Sequence, residues 1–207
     1  MSELGRFIVL EGGEGAGKST QVSHVEQWLR GRGRDVRRTR EPGGSPLAEA
    51  IRGVVLGDWD EGVDAQTELL LIFAARAAHL NATVRPALQA GCDVVCDRFV
   101  DASYAYQGGG RGIALRHIDA LSDLVLQGLR PDLVLLLDIE PEQGLARADA
   151  RGDNNRFEAE NLAFQRRVRE HYLARAAAAP SRYEIIDAAL AQDEVSAQID
   201  LALERHL

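Results

Sequence analysis

Arg6-Phe7-Ile8-Val9-Leu10-Glu11-Gly12-Gly13-Glu14-Gly15-Ala16-Gly17-Lys18-Ser19-Thr20 is the stretch that decides the fold. Its first half is apolar without alternation, the pattern of a parallel strand covered on both faces. Its second half matches G-x-x-x-x-G-K-[ST] in full, and the pattern from Lys18 to about Gly31 is helical. A glycine run between a strand and a helix lets backbone N–H groups turn inward around phosphate oxygens without Cβ clashes. The helix N-terminus adds its positive dipole end. Lys18 supplies a mobile positive charge, and the Ser19 hydroxyl can ligate Mg²⁺. The stretch is therefore a cradle for a nucleoside triphosphate, silent about what the triphosphate is used for.

Outward from it, short apolar runs alternate with helical ones. Asp35 to Arg40 reads as a second strand, ended by the breaker cluster Glu41-Pro42-Gly43-Gly44. Ser45-Pro46 offers an N-cap followed by proline at the first helical position, opening a helix to about Leu56. Residues 64–89 form one long helical region divided at Pro86. Asp93 to Asp97 reads as a third strand, Asp132 to Asp138 as a fourth and Tyr183 to Asp187 as a fifth. Helices are expected at 101–107, 114–127, 141–150, 158–178 and 192–206, with Gly108–Gly112 as a helix–helix connection. Five short strands alternating with helices imply an α/β fold: a P-loop NTPase with a five-stranded parallel sheet flanked by helices. The expectation is one domain over residues 1–207.

Composition narrows the function. Apolar residues make up 45% and charged residues 27%, as in soluble globular chains. No apolar run approaches the ~20 residues that cross a bilayer, and the first residues do not read as a signal peptide, so a cytoplasmic protein is expected. A net charge of −8 argues against a surface built for nucleic acid or an anionic membrane. Cys92 and Cys96, four residues apart on one strand, are too far separated for a disulfide. Lys18 is the only lysine; every other basic side chain among the Lys and Arg residues is arginine. An arginine bias in the lineage accounts for the arginines but not for the lysine that remains.

The single lysine also excludes a GTPase, whose guanine-binding N-K-x-D motif cannot exist here. A motor subunit usually has a larger chain, whereas a small-molecule kinase fits this length. Asp97-Arg98 ends the third strand, where ligands gather in such sheets. Asp97 can hold a metal-bound water or accept a proton, and the Arg98 fork can grip an acceptor phosphate, or the two can simply cap the strand as an ion pair. Phe73 and Arg76 are i, i+3 in an otherwise apolar helix, suited to a flat heterocycle or to the core with a snorkelling arginine. Arg147, Arg151 and Arg156 lie in or beside a polar loop, either a solvated face or the mobile cations that phosphoryl transfer uses.

In order and spacing the chain resembles bacterial thymidylate kinases. The resemblance rests on F-I-V-L-E-G-G-E-G-A-G-K-S-T, T-R-E-P-G-G at 39–44, F-A-A-R at 73–76, D-R-F with A-Y-Q-G-G-G-R-G between 97 and 112, P-D-L-V-L-L-L-D at 131–138 and R-F-E at 156–158. It implies phosphorylation of dTMP to dTDP by ATP and Mg²⁺ on the way to dTTP, in a homodimer with a lid at about 147–158. It places ATP on Gly12, Gly13, Glu14, Gly15, Ala16, Gly17, Lys18, Ser19 and Thr20, with Arg147 and Arg156 nearby, and the metal at Ser19 and Asp97. Phe73 would stack on thymine, Arg76 would bond its O4 edge, Ser103 and Gln107 would contact the base, and Tyr106 would lie against the deoxyribose. Arg40 and Arg98 would hold the dTMP phosphate, and Glu14 would sit near the 3′-hydroxyl and the metal. The family has one layout with an arginine inside the phosphate loop; Gly15 stands there in this chain, so the resemblance is to the other layout and implies catalysis by Arg151 with Lys18, Glu14, Asp97 and Arg98. Ala102 departs from the family's usual serine and removes one hydroxyl near the acceptor. Other P-loop kinases with a neutral acceptor would need a hydroxyl-activating base, and none stands out. A non-catalytic nucleotide-binding module would not need Asp97-Arg98 and the lid arginines.

Overall fold

The strand runs that lack alternation pair side by side, and the sheet itself supplies the alternation. In the computed structural model, which describes residues 4–151, 157 and 160–207, five strands are present among the described residues. They are β1 (Phe7–Gly12), β2 (Val36–Arg40), β3 (Asp93–Asp97), β4 (Leu133–Asp138) and β5 (Tyr183–Asp187), in the order β2-β3-β1-β4-β5 and all parallel. Successive side chains leave opposite faces. Phe7 and Val9 enter one core cluster with Val94, Cys96, Val134 and Leu136, while Ile8 and Leu10 enter the other with Val95, Leu133, Leu135 and Leu137. Both faces are covered, as the continuous apolar runs require.

The helices are α1 (Lys18–Gly31), α2 (Pro46–Leu56), α3 (Ala65–His79), α4 (Arg85–Gln89), α5 (Val100–Ser103), α6 (Leu115–Leu126), α7 (Pro141–Arg151), α8 (Leu162–Ala178) and α9 (Gln192–His206). The Ser45 hydroxyl accepts from the Ala48 N–H with Pro46 at the first position, the cap that the sequence suggests. Cys92 and Cys96 are free thiols.

Three local expectations are corrected. The 64–89 region is interrupted before Pro86, by a π-helical turn at Leu80–Val84, and Pro86 then sits in the first turn of α4, where its missing N–H costs no bond. Gly108, Gly109 and Gly110 are not part of a connection but end a second π-helical turn, Tyr104–Gly110, that continues α5. The glycines are needed there: a Cβ on Gly110 would lie 2.4 Å from the Phe164 ring and one on Gly109 would lie 2.5 Å from His171, both on α8. Finally, the helix expected through 160 and 161 begins only at Leu162, because the Asn161 side chain caps it by accepting from the Phe164 N–H at 2.9 Å.

Candidate active site

The turn after β1 is built from glycines in conformations that other residues reach only with strain. Gly15 and Gly17 have φ of 69° and 83°. Gly15 also touches α7 so closely that a Cβ would fall 1.8 Å from the Gly144 carbonyl oxygen. A side chain at Gly15 therefore has no room, because α7 is packed against the loop there. The Lys18 ammonium donates to the carbonyls of Gly12 at 3.1 Å and Gly13 at 2.7 Å. Burial, then repulsion from Arg98, pushes its pKa down to about 8 against the attraction of Glu14 and Asp97.

Beside the loop, a cleft of about 670 Å³ runs along the carboxyl ends of β1, β2 and β3. Arg98 stands at its junction with the loop. It is a non-glycine residue at φ 68°, held on all sides. Its guanidinium donates to the Gly12 carbonyl at 2.8 Å, to Glu14 Oε1 at 2.8 Å and to the Tyr172 hydroxyl at 3.2 Å. The next N–H, on Phe99, donates to Glu11 Oε1 at 2.7 Å, and the Tyr172 hydroxyl donates to Glu11 Oε2 at 2.8 Å. Glu11 is fully buried; burial and then repulsion from Asp101 raise its pKa to about 8. Tyr106 donates to Glu14 Oε1 at 2.7 Å with its ring 4.9 Å from the Arg98 guanidinium carbon. Glu14, Arg98 and Tyr106 thus form one unit on the cleft wall.

Arg76 is the cationic side chain at the far end, and it is buried. Its Nε donates to Glu41 Oε2 at 2.7 Å, its Nη1 to Ser103 Oγ at 3.1 Å and its Nη2 to the Phe99 carbonyl at 3.1 Å. Those bonds use three of five guanidinium hydrogens. His79 shares the same carboxylate: Nδ1 lies 2.9 Å from Glu41 Oε1 and Nε2 lies 2.7 Å from Thr39 Oγ1.

Ser103, Tyr106, Gln107, Arg40 and Asp97 also line the cleft, together with Gly15, Ala16, Gly17, Lys18 and Ser19 of the loop. Phe73 does not; this expectation is corrected. Its ring lies in the core cluster with Phe99 and Leu69, 4.6 Å from the Arg76 guanidinium carbon, while its neighbour Ile72 lines the cleft. Consecutive helical residues point about 100° apart, so only one of the two can face the site. Arg147 is turned elsewhere, donating to the carbonyls of Ala188 at 2.6 Å and Ala189 at 2.9 Å in the loop after β5. Gly12 and Gly13 border the Lys18 ammonium, and Thr20 is exposed at the start of α1. The Arg151 side chain and Arg156 lie outside the described residues.

Sequence reasoning missed Arg52. It lines the cleft from α2 and donates to the Pro42 carbonyl at 2.9 Å. Burial, then repulsion from Arg40, lowers its pKa, with Arg98 adding a smaller repulsion. Three guanidinium groups converging on one wall are poorly matched to each other and well matched to a phosphate dianion. An arginine four residues before the end of an apolar helix was the available signal. Arg40 itself forks onto Glu49, with Nη2 2.9 Å from Oε2.

Asp97 Oδ1 is the one buried side-chain atom without a hydrogen-bond partner among the described residues. It stands on the cleft wall with Lys18 and Ser19. No group of three or more His, Cys, Asp or Glu side chains able to hold a metal occurs among the described residues. A single free carboxylate oxygen and a hydroxyl suit Mg²⁺, which keeps several waters and shares phosphate oxygens.

Comparison with known proteins agrees with this geometry. The family model described as thymidylate kinase matches residues 10–199. Thymidylate kinase of Pseudomonas fluorescens is 55% identical over 203 residues, covering 98% of this chain and 97% of its own. That of Chromohalobacter salexigens is 56% identical over 205 residues, with the same coverage. A crystal structure of thymidylate kinase from Ehrlichia chaffeensis is 31% identical and superposes with a TM-score of 0.79 over 97% of this chain and 98% of that one. With the loop, the arginine-lined cleft and this likeness along nearly its whole length, the chain belongs to the thymidylate kinase family.

Proposed function

We propose that this cleft passes the ATP γ-phosphoryl group in line to the phosphate of dTMP, giving dTDP and ADP, the activity of the family. One observation carries the assignment of sites: Arg98, on the acceptor side, donates both to the Gly12 carbonyl of the phosphate loop and to Glu14 within it. The two anions would meet across that contact. The acceptor phosphate already carries its nucleophilic oxygen at neutral pH, so positioning and charge neutralisation do the work and no strong base is required.

The triphosphate would lie on residues 12–20, with Lys18 against its β- and γ-phosphates. Arg98, Arg52 and Arg40 would hold the dTMP phosphate, Tyr106 would cover the sugar, and Arg76, Ser103 and Gln107 would meet the base with Ile72 as its apolar neighbour. Ser19 and Asp97 would hold Mg²⁺ directly or through its waters, and the ion would neutralise charge on the phosphates. Arg151, at the end of α7, is assigned to the charge that develops on the transferring group, in a lid over 147–158 that includes Arg147 and Arg156. The close approach of Gly15 to Gly144 supports that assignment, since it leaves no room at that position for the arginine of the other layout.

We also read the protein as a cytoplasmic homodimer. Leu47 and Val54 on α2, Leu70 on α3 and Leu124 on α6 are exposed at 62%, 41%, 58% and 70% on helices that pack side by side, and a second copy would cover them. A coupled assay of ADP release over a panel of nucleoside monophosphates tests the activity. Turnover with dTMP far above dCMP and AMP is expected, and Arg151→Ala should lower kcat on the order of 10²–10⁴-fold. ATP binding with no transfer to dTMP refutes the reading; an unchanged kcat in Arg151→Ala refutes only the lid assignment.

A further inference from the structure

Glu68 has no place in the scheme above, yet it is fully buried at the start of α3, beside the cleft. Two side chains from the segment after α5 end on it. Gln107 Nε2 donates to its Oε1 at 2.8 Å, and Arg111 donates through Nε at 3.3 Å and Nη2 at 3.2 Å. Arg111 also pairs with Glu160.

The consequence falls on Gln107. A carboxylate gripped by a guanidinium only accepts hydrogen bonds, so the amide of Gln107 must turn its NH₂ toward Glu68 and its carbonyl oxygen away. That oxygen meets no donor among the described residues, for the bond to Glu68 is the only one the side chain makes there. It is not sealed in either, since Asp97 Oδ1 is the one buried side-chain atom lacking a partner. Gln107 lines the cleft, and its carbonyl therefore opens onto it as a fixed acceptor. One helical turn earlier, Ser103 takes a bond from Arg76, whose unused guanidinium hydrogens are donors.

We propose that Glu68 is a specificity-determining positioning residue: by holding the Gln107 amide in one orientation it makes the cleft select a pyrimidine that carries hydrogen on N3. The proposal rests on the reading that Gln107 faces the base. An acceptor from Gln107 beside a donor from Arg76 complements a base edge with N3–H next to O4. A 4-amino pyrimidine offers the reverse pattern, a donor at position 4 and a lone pair at N3, and leaves both protein groups unpaired. Were the Gln107 amide free to rotate, it would present either NH₂ or oxygen and the N3 choice would blur.

The test isolates N3. The deoxyribonucleoside monophosphate of 5-methylpyrimidin-2-one has a lone pair at N3 and only hydrogen at C4. The ratio of kcat/KM for dTMP to that for this analogue is measured in the wild type, Glu68→Gln and Gln107→Leu, with dUMP and ATP as controls. In Glu68→Gln the partner can both donate and accept, so the amide can flip. The ratio should fall at least about tenfold, roughly the value of one well-placed hydrogen bond. The dTMP to dUMP ratio and the KM for ATP should not change, because both pyrimidines carry N3–H. Arg111→Lys, which leaves the Glu68–Gln107 bond in place, should keep the wild-type ratio.

A merely structural Glu68 would lower turnover of both nucleotides alike. An unchanged ratio in folded Glu68→Gln, with a collapsed ratio in Gln107→Leu, overturns the proposal and leaves Gln107 at the base. An unchanged ratio in both variants overturns the placement of Gln107 as well. If Glu68→Gln fails to fold, the double variant Glu68→Gln, Arg111→Met removes both charges of the pair and is read by the same ratio.

Discussion

Tyr172→Phe removes one oxygen from the buried network around Arg98, and its cost follows from the bonds that oxygen makes. The hydroxyl donates to Glu11 Oε2 at 2.8 Å and accepts from Arg98 Nη1 at 3.2 Å. A hydrogen bond to a charged group, here Arg98, contributes about 1.5–3 kcal/mol, and a buried partner left unsatisfied forfeits a similar amount. Arg98 keeps its bonds to the Gly12 carbonyl and Glu14, so the guanidinium loosens but is not lost. The left-handed backbone at Arg98 raises the stakes, because a non-glycine residue there costs ~1 kcal/mol or more and persists only when its surroundings hold it. The expected outcome is a stability loss of about 1.5–3 kcal/mol, roughly 3–12 °C in Tm for a chain of this size. It is accompanied by a rise in KM for dTMP on the order of 3–10-fold, the part of that energy that reaches the phosphate. KM for ATP should stay within about twofold, since the Tyr172 hydroxyl bonds Glu11 and Arg98 rather than Lys18 or a loop glycine. Steady-state ADP release with dTMP and ATP varied in turn, alongside a thermal melt, measures all three. A lower Tm with an unchanged KM for dTMP refutes the reasoning and makes Tyr172 a packing residue; an equal rise in both KM values refutes it from the other side.

Lys18 in the free enzyme loses its proton near pH 8, so kcat/KM for ATP should decline above that pH rather than near the ordinary lysine value; a profile flat to pH 10 contradicts this. Glu11 is raised from 4.5 to about 8 in the folded protein, so its contribution to stability is full below pH 4.5 and is lost as pH rises through 8. Urea unfolding at pH 6 and pH 8.5 should show the wild type losing stability, on the order of 1 kcal/mol, and Glu11→Gln losing less; equal losses remove Glu11 as the cause. At Gly144 an alanine would gain about 0.5–1 kcal/mol of helix propensity, but its Cβ would sit 2.4 Å from the Glu14 carbonyl oxygen. The clash should win, displacing α7 from the phosphate loop and lowering kcat at least about tenfold, and a fully active Gly144→Ala would show the contact to be soft.

Local pattern carried much of this molecule. The β1 stretch, the glycine loop and α1 are contiguous in sequence, and each is specified by neighbours within a few residues: apolar runs for strands, glycines for the left-handed turns, Ser45-Pro46 for a helix start. Asp97-Arg98 could be placed at the site because the carboxyl end of a parallel strand is where ligands bind, a rule of topology that needs only the strand to be found. The π-helical turns were not legible, since a π turn differs from an α turn by where one backbone bond ends and leaves no change of residue type.

What tertiary structure alone decided is which side chains face one another. Sequence placed Phe73 and Arg76 on one helix face, but only the packing of α3 on the core showed that Ile72, and not Phe73, borders the cleft. Arg52 joined Arg40 and Arg98 because its side chain reaches from α2 to the Pro42 carbonyl just after β2, and Glu68 met Gln107 across 39 residues of chain. Glu11 and Tyr172 are 161 residues apart. Backbone conformation and burial are set by short-range sterics and periodicity, which a sequence displays. A hydrogen bond spanning half the chain depends on a separation of about 3 Å that no local pattern encodes.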